Sequence, residues 1–139
     1  MIRFVLDASV SLRWFLENPV PVYAQKVRRA FTAGARALVP ALWHLEMANA
    51  FAVAERRGIL SAGDTDLFLD QIELLLGQSI ESESVLVSVR NAISLARPFS
   101  LSSYDAVYLD TARRNKLPLA TLDRSLQSAA ARAGVSLFR

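Results

Sequence analysis

The sequence predicts a single α/β domain over residues 1–139, built on a central parallel sheet of five strands flanked by helices. Short segments of strand length alternate along the chain with longer segments of helical periodicity, and no linker, low-complexity tract or internal repeat interrupts them. The first segment, Phe4-Val5-Leu6, is apolar at every position, which is typical of a strand covered on both faces. Because parallel neighbours require crossover connections, this alternation indicates a doubly wound sheet.

Strands are predicted where short runs rich in apolar residues are bounded by Gly, Pro, Asn or Ser. The run that ends before Pro40 fits this pattern well, whereas the run that begins at Ser79 is the weakest of the set. In chain order the five predicted strands are 4–6, 37–39, 79–81, 117–121 and 135–138.

Helices are predicted where apolar residues recur every three to four positions and where a capping residue, Gly or Pro marks an end. Ser61 and Asp64 resemble a capping box, and Arg56-Arg57-Gly58 resembles a helix C-terminus. In chain order the predicted helices are 10–16, 22–33, 42–57, 61–76, 85–96, 103–115 and 125–133.

The composition limits the classes of function that are open to the chain. The absence of cysteine excludes disulfides, thiol nucleophiles and thiolate zinc sites, and it agrees with a reducing cytoplasm. The net charge of +3 is a weak indication of a nucleic-acid partner. The hydrophobic share of 53% and the mean hydropathy of +0.26 lead us to expect a homodimer or another bound partner. Arg3 and Asp7 interrupt the first apolar run, so we expect no membrane segment and a cytoplasmic location.

Asp7 is the first candidate for a functional site. It follows the first strand directly, and ligands of open α/β sheets bind at the carboxyl ends of the strands. The alternative is that Asp7 only caps the helix that follows, since Asp is a good N-cap residue. This stretch by itself favours neither interpretation.

Three further acids are candidates for the same site because of their predicted positions. Glu46 lies on an apolar helix, where a carboxylate needs a partner unless it is half-exposed. Asp105 shares a helix face with core residues, although Ser102 and Asp105 would also form a capping box. Asp123 follows the predicted strand 117–121, where an acid is most often a helix cap. Each acid therefore has an ordinary structural explanation of its own.

Together the four acids indicate a metal site. Asp7 and Asp123 leave parallel strands at one edge, and Glu46 and Asp105 lie near the starts of helices that begin there. Four carboxylates in one crevice repel one another unless a cation is bound. Oxygen ligands without Cys or His select Mg²⁺ or Mn²⁺, ions that serve phosphoryl chemistry. Three polar residues nearby are candidates to support the acids or metal-bound water: Ser9, Asn49 and Thr121.

These acids lie in motifs that extend along the whole chain. The motifs are Val5-Leu6-Asp7-Ala8-Ser9-Val10, Glu46-x-x-Asn49-Ala50, Ser103-Tyr104-Asp105-Ala106-x-Tyr108-Leu109 and Leu119-Ala120-Thr121-Leu122-Asp123-x-x-Leu126. In this order and spacing they resemble the PIN-domain ribonucleases, specifically the VapC-type toxins of bacterial toxin–antitoxin pairs.

The resemblance implies a PIN-like fold and a function. Asp7, Glu46, Asp105 and Asp123 would be the catalytic, metal-binding acids. The chain would be a metal-dependent endoribonuclease that hydrolyses phosphodiester bonds of RNA, and a cognate antitoxin protein would inhibit it. Five arginines are candidates for gripping flanking phosphates: Arg13, Arg97, Arg113, Arg114 and Arg124.

Two rival functions follow from other classes of protein. A phosphoaspartyl enzyme also places an Asp after its first strand, but it needs a lysine at the phosphate, and neither Lys26 nor Lys116 follows a strand. A catalytically silent PIN-like module that only binds RNA or protein stays open. His44 stands beside Trp43 on an apolar helix, which favours a packed or hydrogen-bonded role over that of a general base.

Overall fold

The computed structural model describes all residues from 1 to 139. It contains four strands, eight α-helices and one 3₁₀ helix. The strands are β1 (Arg3–Leu6), β2 (Arg36–Pro40), β3 (Ile80–Glu83) and β4 (Leu119–Ala120). The helices are α1 (Ala8–Ser11), α2 (Arg13–Leu16), α3 (Val22–Thr32), α4 (Ala41–Arg56), α5 (Ala62–Gln78), α6 (Val89–Ala96), α7 (Ser103–Asn115) and α8 (Arg124–Ala133), and the 3₁₀ helix is Arg97–Phe99.

The strands form one parallel sheet in the order β3-β2-β1-β4. β1 lies inside the sheet, where Val5 is in register with Leu38 of β2 and with Leu119 of β4. All carboxyl ends therefore meet at one edge, as the alternation of strands and helices predicted. The first residues beyond β1 and β4 emerge side by side at that edge.

The predicted fifth strand is wrong. Within 135–138 only Leu137 forms a bridge, a parallel one with Leu119. The Leu119 N–H donates to Ser136 O at 2.9 Å, and its carbonyl accepts from Phe138 N–H at 2.9 Å. Because β4 is only two residues long, it offers one residue to this outer neighbour, and a single bridge results.

Two predicted helices differ from the structure by more than one or two residues at an end. The segment 10–16 is not one helix, because the chain forms two single-turn helices, α1 and α2, that meet at Leu12. The segment 85–96 becomes helical only at Val89, where the Ser88 side chain accepts a hydrogen bond from Asn91 N–H. The Ser61–Asp64 capping box at the start of α5 is confirmed in both directions.

The core encloses β1 on both faces. Phe4, Val5 and Leu6 have no exposed surface, although successive side chains of a strand point to opposite faces. Phe4 stacks on Phe31 of α3 and on Phe138, with ring centroids 5.8 and 4.2 Å away. The continuous apolar run therefore reflects a strand with a packed layer on each side. No helix is both long enough and apolar enough to cross a membrane.

Candidate active site

Asp7 lies immediately beyond β1 and is almost fully buried, with 4% of its surface exposed. Its Oδ2 atom accepts hydrogen bonds from Ser9 Oγ and from Thr121 Oγ1, each at 2.7 Å. Asp7 occupies the N-cap position of α1, but its side chain makes no capping hydrogen bond. The capping explanation therefore does not account for this carboxylate, which faces hydroxyl groups instead.

Ser9 and Thr121 connect the ends of two neighbouring strands. Ser9 Oγ also accepts from Leu122 N–H at 3.0 Å, and Thr121 Oγ1 accepts from Asp123 N–H at 3.0 Å. Each hydroxyl therefore donates to Asp7 and accepts from the backbone that follows β4. These bonds fix the Asp7 carboxylate relative to the segment that carries Asp123.

Glu46 lies on α4, is half-buried, and accepts a hydrogen bond from the Tyr108 hydroxyl at 2.6 Å. Tyr108 is fully buried on α7, and its hydroxyl oxygen also accepts from Ala8 N–H at 3.4 Å. The sequence analysis did not identify Tyr108 as a residue that contacts the site. The available signal was that a tyrosine in an apolar core usually places its hydroxyl against a polar partner.

Asp105 and Asp123 lie in or before the first turns of α7 and α8. The Asp105 N–H donates to Ser102 Oγ at 3.1 Å, which caps α7. The Asp123 carboxylate accepts from Leu126 N–H at 2.9 Å, so its predicted alternative as a helix cap is confirmed. Asp123 can cap α8 and also line the cleft, because one carboxylate oxygen accepts the capping hydrogen bond and the other stays available.

All four predicted acids line one cleft of about 320 Å³ at the carboxyl edge of the sheet. Ser9 and Asn49 share this cleft, whereas Thr121 lies behind Asp7 with 2% of its surface exposed. The full lining is Asp7, Ala8, Ser9, Leu12, Glu46, Asn49, Ala50, Asp105 and Asp123. No Lys, Arg or His belongs to it.

The cleft carries uncompensated negative charge. Burial, followed by repulsion from Asp123 and Asp7, raises the pKa of Asp105 to about 6. Burial also raises the pKa of Asp7 and of Glu46, and repulsion from neighbouring carboxylates adds to both shifts. The acids are therefore close enough to repel one another, and nothing positive among the lining residues offsets that repulsion.

The lining residues fit a hard divalent cation by their chemistry, because they offer carboxylate and hydroxyl oxygens and no Cys or His. As the side chains stand, however, no three acidic side chains are close enough together to enclose one ion. The hydrogen bonds above explain the separation. Asp7, Glu46 and Asp123 are each held by partners of their own, and like charges disfavour closer approach.

The structure divides the five candidate arginines. Arg13 pairs with Glu17 at 2.6 Å, and Arg114 pairs with Glu83 and Asp110 at 2.8 and 2.7 Å. The other three form no ion pair within 4 Å: Arg97, Arg113 and Arg124. Arg13 and Arg114 therefore already have carboxylate partners, whereas the other three do not.

His44 lies outside the cleft. Its Nε2 atom is 2.6 Å from Ser82 Oγ, and its ring packs edge-on against Trp43 with centroids 5.2 Å apart. The expected packed and hydrogen-bonded role of His44 is confirmed.

These features define a class of protein: a single α/β domain with an acidic cleft at the carboxyl edge of a parallel sheet. The chain belongs to the PIN domain family, which it matches over residues 4–132. Its fold is similar to that of PAE2754 from Pyrobaculum aerophilum, known from a crystal structure, with a TM-score of 0.63 and 21% sequence identity. That similarity covers 91% of this chain and 85% of PAE2754. No curated protein matches the chain.

PIN domains are generally nucleases, and they usually depend on Mg²⁺ or Mn²⁺.

Proposed function

We propose that this PIN domain is a Mg²⁺-dependent endoribonuclease, the toxin of a toxin–antitoxin pair. The observation that carries the proposal is that Asp7, Glu46, Asp105 and Asp123 line a single cleft whose lining contains no Lys, Arg or His. Such a lining is electrostatically unfavourable by itself and is the kind of environment that a divalent ion stabilises.

In this proposal the four acids hold Mg²⁺, or alternatively Mn²⁺, and the neighbouring polar groups position them. Ser9 and Thr121 orient Asp7 through their short hydrogen bonds, and Tyr108 orients Glu46. Asn49 stands in the cleft as a further oxygen donor or as a hydrogen-bond partner of bound water. When bound, a divalent ion lowers the pKa of water and neutralises charge on a phosphate.

The reaction is hydrolysis of an RNA phosphodiester. The oxygen of a water molecule forms a bond to phosphorus, the bond between phosphorus and the 3′ oxygen breaks, and the leaving oxygen takes up a proton. The products carry a 5′-phosphate and a 3′-hydroxyl. The cleft carboxylates position the water and accept its proton, which is why their placement opposite the scissile phosphate matters.

The proposed partners are a cognate antitoxin and a second copy of the chain, within the cytoplasm. Exposed apolar side chains on α4 and α5 support such contacts, because Leu45, Leu67 and Leu74 have 72%, 64% and 60% of their surface exposed. RNA as the substrate is taken from the resemblance of the motifs to VapC-type toxins.

The test of the enzymatic proposal compares purified Asp7→Asn and Asp105→Asn with the wild type on RNA in the presence of Mg²⁺. Both variants should lose cleavage by at least two orders of magnitude, because each loses a charged ligand of the ion while keeping its size. Asp70→Asn is the matched control, since Asp70 is exposed on α5 and lies outside the cleft. Wild-type rates in both cleft variants would overturn the proposal.

A catalytically silent module that binds RNA or protein is the second candidate. It is favoured by the separation of the carboxylates, because no three of them are close enough together to hold one metal ion. It predicts RNA binding that chelator does not change, with no cleavage products at any Mg²⁺ or Mn²⁺ concentration. Metal-dependent cleavage would remove this candidate.

A further inference from the structure

A second cleft, of about 390 Å³, lies beside the acidic one and has the opposite chemistry. We name it the basic pocket, and its lining is Phe99, Ser100, Arg124, Ser125, Ser128 and Arg132. The linings of the two clefts contain consecutive residues, because Asp123 of the acidic cleft directly precedes Arg124 in the chain. The start of α8 therefore borders both clefts.

The polar groups of the basic pocket follow one face of α8. Arg124, Ser128 and Arg132 are spaced four residues apart, so they lie along one stripe of the helix. At 1.5 Å per residue, the stripe extends about 12 Å from the end of the acidic cleft. This geometry suits an extended ligand better than a compact one.

Phe99 orders two guanidinium groups at the far end of this stripe. The Arg132 and Arg113 guanidinium carbons lie 5.6 and 5.9 Å from the centre of the Phe99 ring, within the range of cation–π attraction. Arg132 Nη2 also donates to Phe99 O at 3.3 Å. These contacts restrain the two side chains without neutralising their charge.

The arginines here are available to an anion. Arg113, Arg124 and Arg132 form no ion pair within 4 Å, unlike Arg114, and no acidic residue lines the basic pocket. Guanidinium groups with neighbouring hydroxyls match phosphate oxygens, and Arg binds them in a fixed fork geometry. Contacts of this type position a nucleic acid without reading its sequence.

We propose that the basic pocket binds backbone phosphates of single-stranded RNA on one side of the scissile bond. Arg124 contacts the phosphate nearer the acidic cleft, and Arg132, held by Phe99, contacts a phosphate further along. The inference rests on the proposed function in that it takes RNA as the substrate. We call Arg124 and Arg132 of α8 the phosphate track, because they would determine the direction in which the RNA strand leaves the acidic cleft.

The test measures binding of a fluorescently labelled single-stranded oligoribonucleotide by anisotropy, in chelator and over a range of salt concentrations. Each phosphate contact on a single strand contributes about 0.7 to the slope of log K against log salt. The double variant Arg124→Ala/Arg132→Ala should therefore bind more weakly, with a slope shallower by about 1.4.

The matched control is Arg28→Ala/Arg29→Ala, which also removes two positive charges. Arg28 lies over the Trp14 and Phe15 rings at 5.7 and 5.9 Å, so it resembles Arg132 but lines another groove. The control should keep the wild-type slope. Arg124→Lys/Arg132→Lys preserves both charges and should also keep it, which excludes misfolding as the cause of a change in the alanine variant.

An unchanged slope in Arg124→Ala/Arg132→Ala, or an equal loss in the control, would overturn the phosphate track. Because the measurement uses no metal, it is independent of cleavage. RNA cleavage together with an unchanged slope would defeat this inference alone. A shallower slope without cleavage under any metal condition would support the track and defeat the nuclease proposal.

Discussion

Hydrogen bonds from hydroxyl groups hold two of the four acids in place. Ser9 and Thr121 contact Asp7, and Tyr108 contacts Glu46. At Glu46 the hydrogen bond lowers the carboxyl pKa, while burial, the larger effect, raises it. The hydroxyl therefore favours the ionised form of a group that the fold otherwise penalises.

Tyr108→Phe should weaken metal binding while leaving the fold intact. The substitution keeps the buried ring and removes the hydroxyl that orients Glu46, a hydrogen bond to a charged group worth about 1.5–3 kcal/mol. Calorimetric titration with Mg²⁺ should show a dissociation constant raised by roughly tenfold or more. Tyr104→Phe is the control, because Tyr104 is 63% exposed and lies outside the acidic cleft. Equal affinities in the two variants would mean that Tyr108 serves packing alone.

At the scale of elements, the sheet and α7 are joined by an ion pair. Glu83, the last residue of β3, accepts two hydrogen bonds from Arg114 of α7 at 2.9 and 2.8 Å and one from Asn115 at 3.3 Å. The hydrogen bond from Arg114 is the main cause that lowers the pKa of Glu83. A carboxyl group whose pKa is lowered by folding stabilises the native state above its unfolded pKa, and that contribution disappears as the pH falls through the folded value.

Glu83→Gln should therefore cost about 1 kcal/mol of unfolding free energy at pH 7, the range of a well-oriented, partly exposed ion pair. The difference from the wild type should shrink as the pH falls below about 4.5. Urea unfolding at pH 7 and at lower pH measures both quantities. Glu81→Gln removes the more exposed pair with Arg3 and should change little. A deficit in Glu83→Gln that is independent of pH would contradict the electrostatic account.

Asp123, at the start of α8, has two proposed roles, one as a helix cap and one as a ligand of the metal ion. Asp123→Ala should lose about 1 kcal/mol in chelator, because it removes the cap on Leu126 N–H, and more in Mg²⁺, where a ligand of the ion is lost as well. Asp123→Asn keeps a capping oxygen and should lose stability relative to the wild type only when Mg²⁺ is present. Thermal melts of both variants, in chelator and in Mg²⁺, distinguish the roles. A Tm of Asp123→Asn equal to that of the wild type in Mg²⁺ as well as in chelator would leave only the cap.

At the scale of the whole molecule, the acidic cleft should make stability depend on metal. Mg²⁺ at about one hundred times its dissociation constant would add roughly 2.7 kcal/mol to the wild type, which is a rise of several degrees in Tm. Asp7→Asn should melt at or above the wild type in chelator, because it removes a buried like charge, and below it in saturating Mg²⁺. No Mg²⁺ shift in the wild type would mean that the acids are structural.

Much of the fold and of the acidic cleft follows from local sequence patterns. The alternation of strands and helices predicts which edge of a parallel sheet holds the carboxyl ends of its strands. The sequence therefore predicted that the four acids lie at strand ends or near helix starts. It also identified the capping box of α5 and the packed role of His44. The sequence did not predict that 135–138 would form no strand. Leu137 pairs with Leu119 through a single bridge, and no local pattern indicates how many residues will pair.

Contacts between distant parts of the chain determine which structural explanation applies to each side chain. Asp7 and Asp123 both lie at N-cap positions, yet only Asp123 caps, because the Asp7 carboxylate accepts hydrogen bonds from Ser9, two residues further on, and from Thr121, which follows the neighbouring strand. Arg114 and Arg113 are neighbours in sequence, yet Glu83 pairs with the first while Phe99 holds the second. Sequence periodicity reports which face of an element a residue occupies. The partner on that face comes from a distant part of the chain, and folding alone brings it there.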